Sequence, residues 1–213
     1  MSDKSNKYGY VGVDIPAQSF GNNKGVFNPA EINELVADNK WTQYGQLELI
    51  ETQTFTTTTN VDFTSIDEST YNVHFATISV DRQTVSGESV GIQFYESGVL
   101  ETASVYQYAY QNGEGGGTFG ESKSTGNNRL FGTQFVDAGD DKFGYSYFYN
   151  LGDNTKYSFQ TMQSTAIQGT NYKMRFGSGV LPQASAVNGI RVKTNSGNIA
   201  TFTISLYGIK EYS

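Results

Sequence analysis

The chain has 213 residues, a formal charge of −7, a single histidine and no cysteine. That length allows one ordinary domain, or one β domain with an extension, and the missing cysteines exclude disulfides and thiolate metal sites. Arg82, Arg129, Arg175 and Arg191 stand singly in an acidic chain, which argues against nucleic acid as a partner, and no run approaches 18 apolar residues, which argues against membrane insertion.

Residues 1–24 are polar and repeat glycine and asparagine, the composition of an extended arm. The opening MSDKSNKYGY lacks an apolar core of the secretory type, so synthesis in a cytoplasm without a signal peptide is expected. GVFNPAEINELV at 25–36 then spells a short helix. Asn28 is an N-cap, Pro29 takes the first helical position, and Glu31 can bond back to the cap. Phe27 and Ile32 form a hydrophobic staple, and Ile32, Leu35 and Val36 share one face. A helix this short is marginal alone in water, so it needs a surface to lie on. That surface is either another molecule or the chain's own sheets. Trp41, the only tryptophan, follows closely.

From Gly45 the pattern changes to strands. GQLELIETQTF begins it, with Leu47, Leu49 and Glu51 set against Glu48 and Ile50. YNVHFATISV at 71–80 is apolar on both faces in places and reads as a central strand. SVGIQFYES puts Val90, Ile92 and Phe94 on one face, and ASVYQYAYQ carries a row at Tyr106, Tyr108 and Tyr110. NRLFGTQFV, GYSYFYNL, KYSFQTM, NYKMRFG and NGIRVKTNSG follow, and ATFTISLYGIK closes the chain with Phe202, Ile204 and Leu206 on one face. Eight to ten strands at intervals of 8–14 residues, with 24 glycines and 29 Tyr and Phe, give the rhythm of an all-β protein. The expected fold is a two-sheet antiparallel β-sandwich, jelly-roll-like, over residues 45–213, preceded by an arm and helix over 1–44.

Two stretches read as long loops: glycine-rich QNGEGGGTFGESKSTGNN at 111–128 and acidic DAGDDKFG at 137–144. Loops at one end of a sandwich often bind ligands, so Glu114, Asp137, Asp140 and Asp141 are the candidate ligand-loop residues. Their chemistry is thin. His74, the sole histidine, lies mid-strand and reads as a half-buried structural residue with no partner for a triad or a metal. The carboxylates could serve glycoside hydrolysis if paired, yet aspartate favours turns for its own backbone bonding. DAGDD could offer calcium three oxygens, but it does not fit an EF-hand loop. GEGGGTFG lacks the lysine–serine pair of a phosphate loop. No catalytic residue, cofactor or metal site is assigned, and a non-enzymatic protein is expected. The tyrosine rows, Tyr106–Tyr108–Tyr110 and Tyr145–Tyr147–Tyr149, suit either cross-strand packing or contact with a sugar or protein.

The N-terminal pattern of Pro16, Gln18, Gly21, Gly25, Val26, Phe27, Glu31, Ile32 and Leu35 resembles the opening of virion structural proteins of tailed bacteriophages, those of marine cyanobacteria in particular. VDFTSIDESTYNVHFATISV and TFTISLYGIK are similar to strands of phage appendage sandwiches. The resemblance implies a tail-fibre, appendage or capsid-decoration protein located in the virion. It implies other virion proteins as partners and a homo-oligomer, trimers especially. On that reading the first 44 residues anchor the chain, and Pro16, Phe27, Ile32, Leu35, Val36 and Trp41 form the interface. The alternative is a carbohydrate-binding adhesin that recognises host surface glycan.

Overall fold

A computed structural model gives the protein's structure over residues 29–37, 47–83, 89–133, 141–194 and 199–210. The chain divides into two units, Met1–Gly45 and Gln46–Ser213. In the first, helix α1 spans Pro29–Ala37 and begins at the proline, as the sequence predicts. None of its residues is buried, and Val36 is 52% exposed.

The second unit is all-β. Its strands are β1 (Leu47–Thr58), β2 (Asn60–Phe63), β3 (Val73–Gln83), β4 (Gly91–Glu96), β5 (Val99–Leu100), β6 (Tyr106–Glu114) and β7 (Phe119–Asn127). They continue with β8 (Leu130–Phe131), β9 (Lys142–Tyr149), β10 (Tyr157–Gln168), β11 (Asn171–Ala184), β12 (Val187–Lys193) and β13 (Ile199–Ile209). Among the described residues thirteen strands exceed the expected eight to ten, because β2 and β5 are too short to show a pattern. Glycine-rich 111–128 accounts for another. It is a strand pair and not a long loop: β6 and β7 zip from Tyr106↔Asn127 to Gly113↔Phe119. Only Gly115–Thr118 turn between them, with Gly117 at φ +93°, a conformation glycine adopts without strain.

Eight strands form a nested wrap. The first pairs with the last (β1·β13), the second with the second-last (β2·β12), then β3 with β9 and β4 with β8, all antiparallel. This nesting places β1-β13-β3-β9 in one sheet and β2-β12-β4 with β8 in the other, which is the jelly roll. Of the remaining five strands, the short β5 pairs with β4 and the other four arrive as two inserted hairpins. β10–β11 follows β9, β6–β7 precedes β8, and β11 pairs with β6 to join them. The large sheet thereby grows to eight strands, β1-β13-β3-β9-β10-β11-β6-β7. A two-sheet antiparallel β-sandwich with one short helix is thus the observed class.

The core lies between the sheets. Ile78, Phe148, Phe202, Ile204 and Leu206 of the large sheet meet Phe63, Ile92, Phe94, Ile190 and Val192 of the small one, each at most 3% exposed. β3 is central, between β13 and β9, as its sequence suggested. A bulge after Leu49 shifts the register of β1, so Glu51 falls opposite Leu206 and turns to the other face from Leu47 and Leu49. The alternation read from the sequence therefore fails at Glu51.

A polar clamp closes the wrap where β1 begins and β13 ends. Glu48 accepts a hydrogen bond from the Tyr71 hydroxyl at 2.5 Å and another from Lys210 Nζ at 2.9 Å. These bonds hold the Glu48 carboxyl below the usual range and push the Tyr71 hydroxyl up to about 12. The Tyr71 ring lies flat on Gly208, with ring carbons 2.3 Å from where a Cβ would stand. Gly208→Ala is expected to displace that ring and cost about 1–3 kcal/mol, the usual penalty of overpacking. Gly116→Ala, with nothing within 4 Å, should stay within about 0.5 kcal/mol. Urea denaturation of both variants checks this; equal stabilities would remove the close-packing argument.

Candidate functional site

Alternation in the large sheet sends every second side chain outward, and the pairing registers align these into rows. Across β13, β3, β9, β10, β11 and β6, one row reads Tyr207–Phe75–Tyr147–Thr161–Ser178–Ala109. The next reads Ser205–Thr77–Tyr145–Gln163–Phe176–Gln111, followed by Thr203–Ser79–Phe143–Thr165–Met174–Gly113. On the other side lies Ile209–Val73–Tyr149–Phe159–Val180–Gln107. These four rows of six contain no Asp, Glu, Lys, Arg or His. Charged residues make up 16% of this chain, so about four of these 24 positions would carry charge at its own average. The small sheet is ordinary by comparison. On its outer side Arg191 binds Asp62 through two bonds of 2.6 and 2.7 Å and reaches the Tyr95 hydroxyl at 2.9 Å.

The uncharged face has relief. Phe75 lies 4.8 Å from Tyr147, 6.0 Å from Tyr145 and 6.1 Å from Tyr207, ring centre to ring centre. Tyr147 continues into Tyr149, giving an aromatic ridge along β9. Beside it a groove of about 320 Å³ is walled by Phe75, Phe143 and Tyr145 and floored by Thr77, Ser79 and Thr165. The Tyr145 hydroxyl donates to Gln163 Oε1 at 2.7 Å, which fixes that wall. A second groove of about 300 Å³ lies toward β6, beside Phe159 and Val180. Charges resume on the edge strand β7, where Lys123 pairs with Glu121 at 2.6 Å. Lysine on an edge blunts strand-to-strand aggregation.

The two tyrosine rows part company. Tyr106 and Tyr110 are buried and hydrogen-bonded inside, to Phe94 and Phe131 backbone groups, so that row is structural. The β9 row faces outward, with Tyr145 39% exposed. Phe75, Phe159, Phe176 and Tyr207 join it, and the sequence reading had not singled them out. Their signal was present in KYSFQTM, where aromatic residues alternate with Ser158 and Gln160. Ordinary patterning would send the aromatics inward and the polar residues out.

The reverse holds because the inner side of the inserted hairpins takes polar residues, of which Gln160 and Arg175 are bonded while the Ser158 and Ser164 hydroxyls have no partner. Gln160 donates to the Phe131 carbonyl at 3.0 Å and Ser146 Oγ at 2.9 Å, and accepts from the Tyr110 hydroxyl at 3.4 Å. Arg175, 2% exposed, binds Asn112 at 2.7 Å and stacks over the Phe131 ring at 5.1 Å. Burial lowers its guanidinium to about 10, where it still carries its charge.

Of the candidate ligand-loop residues, Glu114 ends β6 inside the hairpin and pairs with Lys173 of β11 at 2.9 Å. It lies at the strand end, beside the Gly115–Thr118 turn. Asp141 is exposed just before β9, and its carbonyl accepts from Ile167 N–H. Asp137 and Asp140 lie outside the described residues, as do Pro16, Phe27 and Trp41 of the candidate interface. Ile32, Leu35 and Val36 sit on α1, none of them buried. Asp153 caps its own turn through Thr155 and pairs with Lys156, which holds its carboxyl well below the usual range. Among the described residues no three His, Asp or Glu side chains gather as a metal site. Among known proteins, the chain matches no family model, and no curated protein matches it.

His74 is fully buried, not half-buried as the sequence suggested. Its Nε2 lies 2.6 Å from the Ile66 carbonyl, its Nδ1 is without a partner, and the Tyr71 ring stands edge-on at 6.0 Å. Burial lowers its pKa from 6.5, against the opposing pull of the Ile66 carbonyl and of Glu68 and Asp67. A depressed folded value means the unfolded chain binds the proton first. The stability this site contributes is therefore complete above pH 6.5 and is lost as pH falls from there through the folded value. The expected slope is at most about 1.4 kcal/mol per pH unit, flattened in His74→Gln, as read by urea titration. An unchanged slope in that variant would assign the acid sensitivity elsewhere.

Proposed function

We propose that this chain is a non-enzymatic structural protein of bacteriophage particles, an exposed tail-fibre, appendage or capsid-decoration component held by its N-terminal segment. The observation that carries the reading is the uncharged, aromatic outer face of the eight-stranded sheet. Exposed rings gathered on an uncharged face support a contact surface. The unburied stripe of Ile32, Leu35 and Val36 on α1 supports an anchor in the first 44 residues, with other virion proteins as partners. The jelly roll recurs in capsid and lectin domains, a likeness of architecture alone. The N-terminal resemblance to phage virion proteins points the same way, toward a location in the virion.

A second reading is a carbohydrate-binding adhesin. The groove walled by Phe75, Phe143 and Tyr145 favours it, because rings can stack on a sugar while Thr77 and Gln163 meet its hydroxyls.

Removing residues 1–44 tests the anchor. The remaining sandwich has its own core and is expected to fold with an unchanged far-ultraviolet circular dichroism spectrum, yet to be absent from purified particles. Loss of folding would make the segment a cap on the sandwich instead. Incorporation at the full-length level would end the anchor idea. A glycan array separates the second reading: saturable binding abolished by Phe75→Ala would make the protein an adhesin. Release of reducing ends from host polysaccharide, lost in Asp141→Asn, would make it a depolymerase.

A further inference from the structure

Across β13, β3, β9, β10, β11 and β6 the outer face of the large sheet has two grooves, projecting rings and four rows without charge, and several of its rings are exposed among the described residues. We propose that this face is the surface through which copies of this chain associate. The inference holds whether or not the protein belongs to a particle.

Charge is the first argument. Each copy carries −7, so two copies repel unless they meet where neither presents charge. The four rows supply such a region, and the Glu121–Lys123 pair on β7 marks its border. The small sheet offers no equivalent, since Asp62, Arg191 and Lys193 stand on its outer side.

Size is the second. Six strands about 4.8 Å apart and seven residues at about 3.3 Å each cover roughly 650 Å² of flat lattice. Stable protein pairs bury about 800 Å² per partner, and the relief of the rings adds area to the flat figure. A bound sugar would cover one groove and leave most of the rows in water.

Shape is the third. Phe143 and Phe159, 52% and 43% exposed, rise beside the two grooves on the same face. A surface with both projections and recesses can serve each member of a pair, as closed self-association requires. Tyrosine and phenylalanine are also the residues enriched at such contacts.

Sedimentation of the full chain between about 1 and 100 µM tests the proposal. The wild type is expected to sediment as an assembly. Thr77→Lys and Phe159→Lys each place a charge in the face and should weaken association at least about 100-fold. Both replaced side chains are solvent-exposed, so their melting curves should overlay the wild type and exclude misfolding. Val99→Lys, at an exposed apolar site on the small sheet, should leave the assembly intact. A wild type that stays monomeric at the highest concentration would overturn the proposal. So would an assembly that survives both lysines, or one that Val99→Lys dissolves equally. Saturable binding of soluble oligosaccharides by a monomeric wild type, lost in Thr77→Lys, would give the face to a glycan.

Discussion

Every strand of the eight-stranded sheet has two faces, and the small sheet can cover only one. The jelly-roll half obeys the usual economy, with Ile78, Ile204 and Leu206 turned toward Phe63, Ile92 and Phe94. Their burial drives the wrap, and the nested pairing of first strand with last fixes which side chains point out. What points out is then decided by register alone, position by position. The outward rows could have been filled with lysine and glutamate at no cost to the core. They hold tyrosine, phenylalanine, threonine and glutamine instead. The core does not demand that choice; cross-strand pairing accommodates it, and the proposed association of copies gives it a use.

The two inserted hairpins sharpen the point. The segment carrying Phe131 and Thr133 covers their inner side. That side holds a buried amide and a buried guanidinium beside the apolar cluster of Tyr110, Phe131 and Met162. Buried polar groups need full partnership, and Gln160 and Arg175 have it through Phe131, Ser146, Tyr110, Asn112 and Thr133. Because the interior takes the polar residues here, the large apolar side chains of β10 and β11 are released to the outside. Phe159, Ile167, Tyr172 and Phe176 are all more than 40% exposed. A widened sheet with inverted polarity gives the protein an area that a bare jelly roll of this size would lack.

This inversion also explains what the sequence revealed and what it hid. Strands with apolar residues inward were legible from alternation alone: β4 through Val90, Ile92 and Phe94 leading into it, and β13 through Phe202, Ile204 and Leu206. The start of α1 at Pro29 followed from capping chemistry. Glycine misled at 111–128, since Gly113 and Gly120 sit in paired strands where neighbouring side chains take the room a Cβ would need or none is required. The outer face was half legible. Tyr145, Tyr147 and Tyr149 showed as a row, but Phe75, Phe159 and Phe176 come together only through pairings between distant segments. The Glu51 reversal came from a bulge, which leaves no mark in composition.

The central claim is that the β9 ridge and its neighbours are a contact surface and not a solvent surface. Carbene footprinting of the full-length protein at high and low concentration reads this directly at each residue. The account predicts that labelling of Tyr145, Tyr147 and Phe159 falls several-fold on concentration, while labelling of Val99 on the small sheet stays constant. Equal labelling of the ridge at both concentrations, with no partner protein or glycan able to suppress it, would contradict the account.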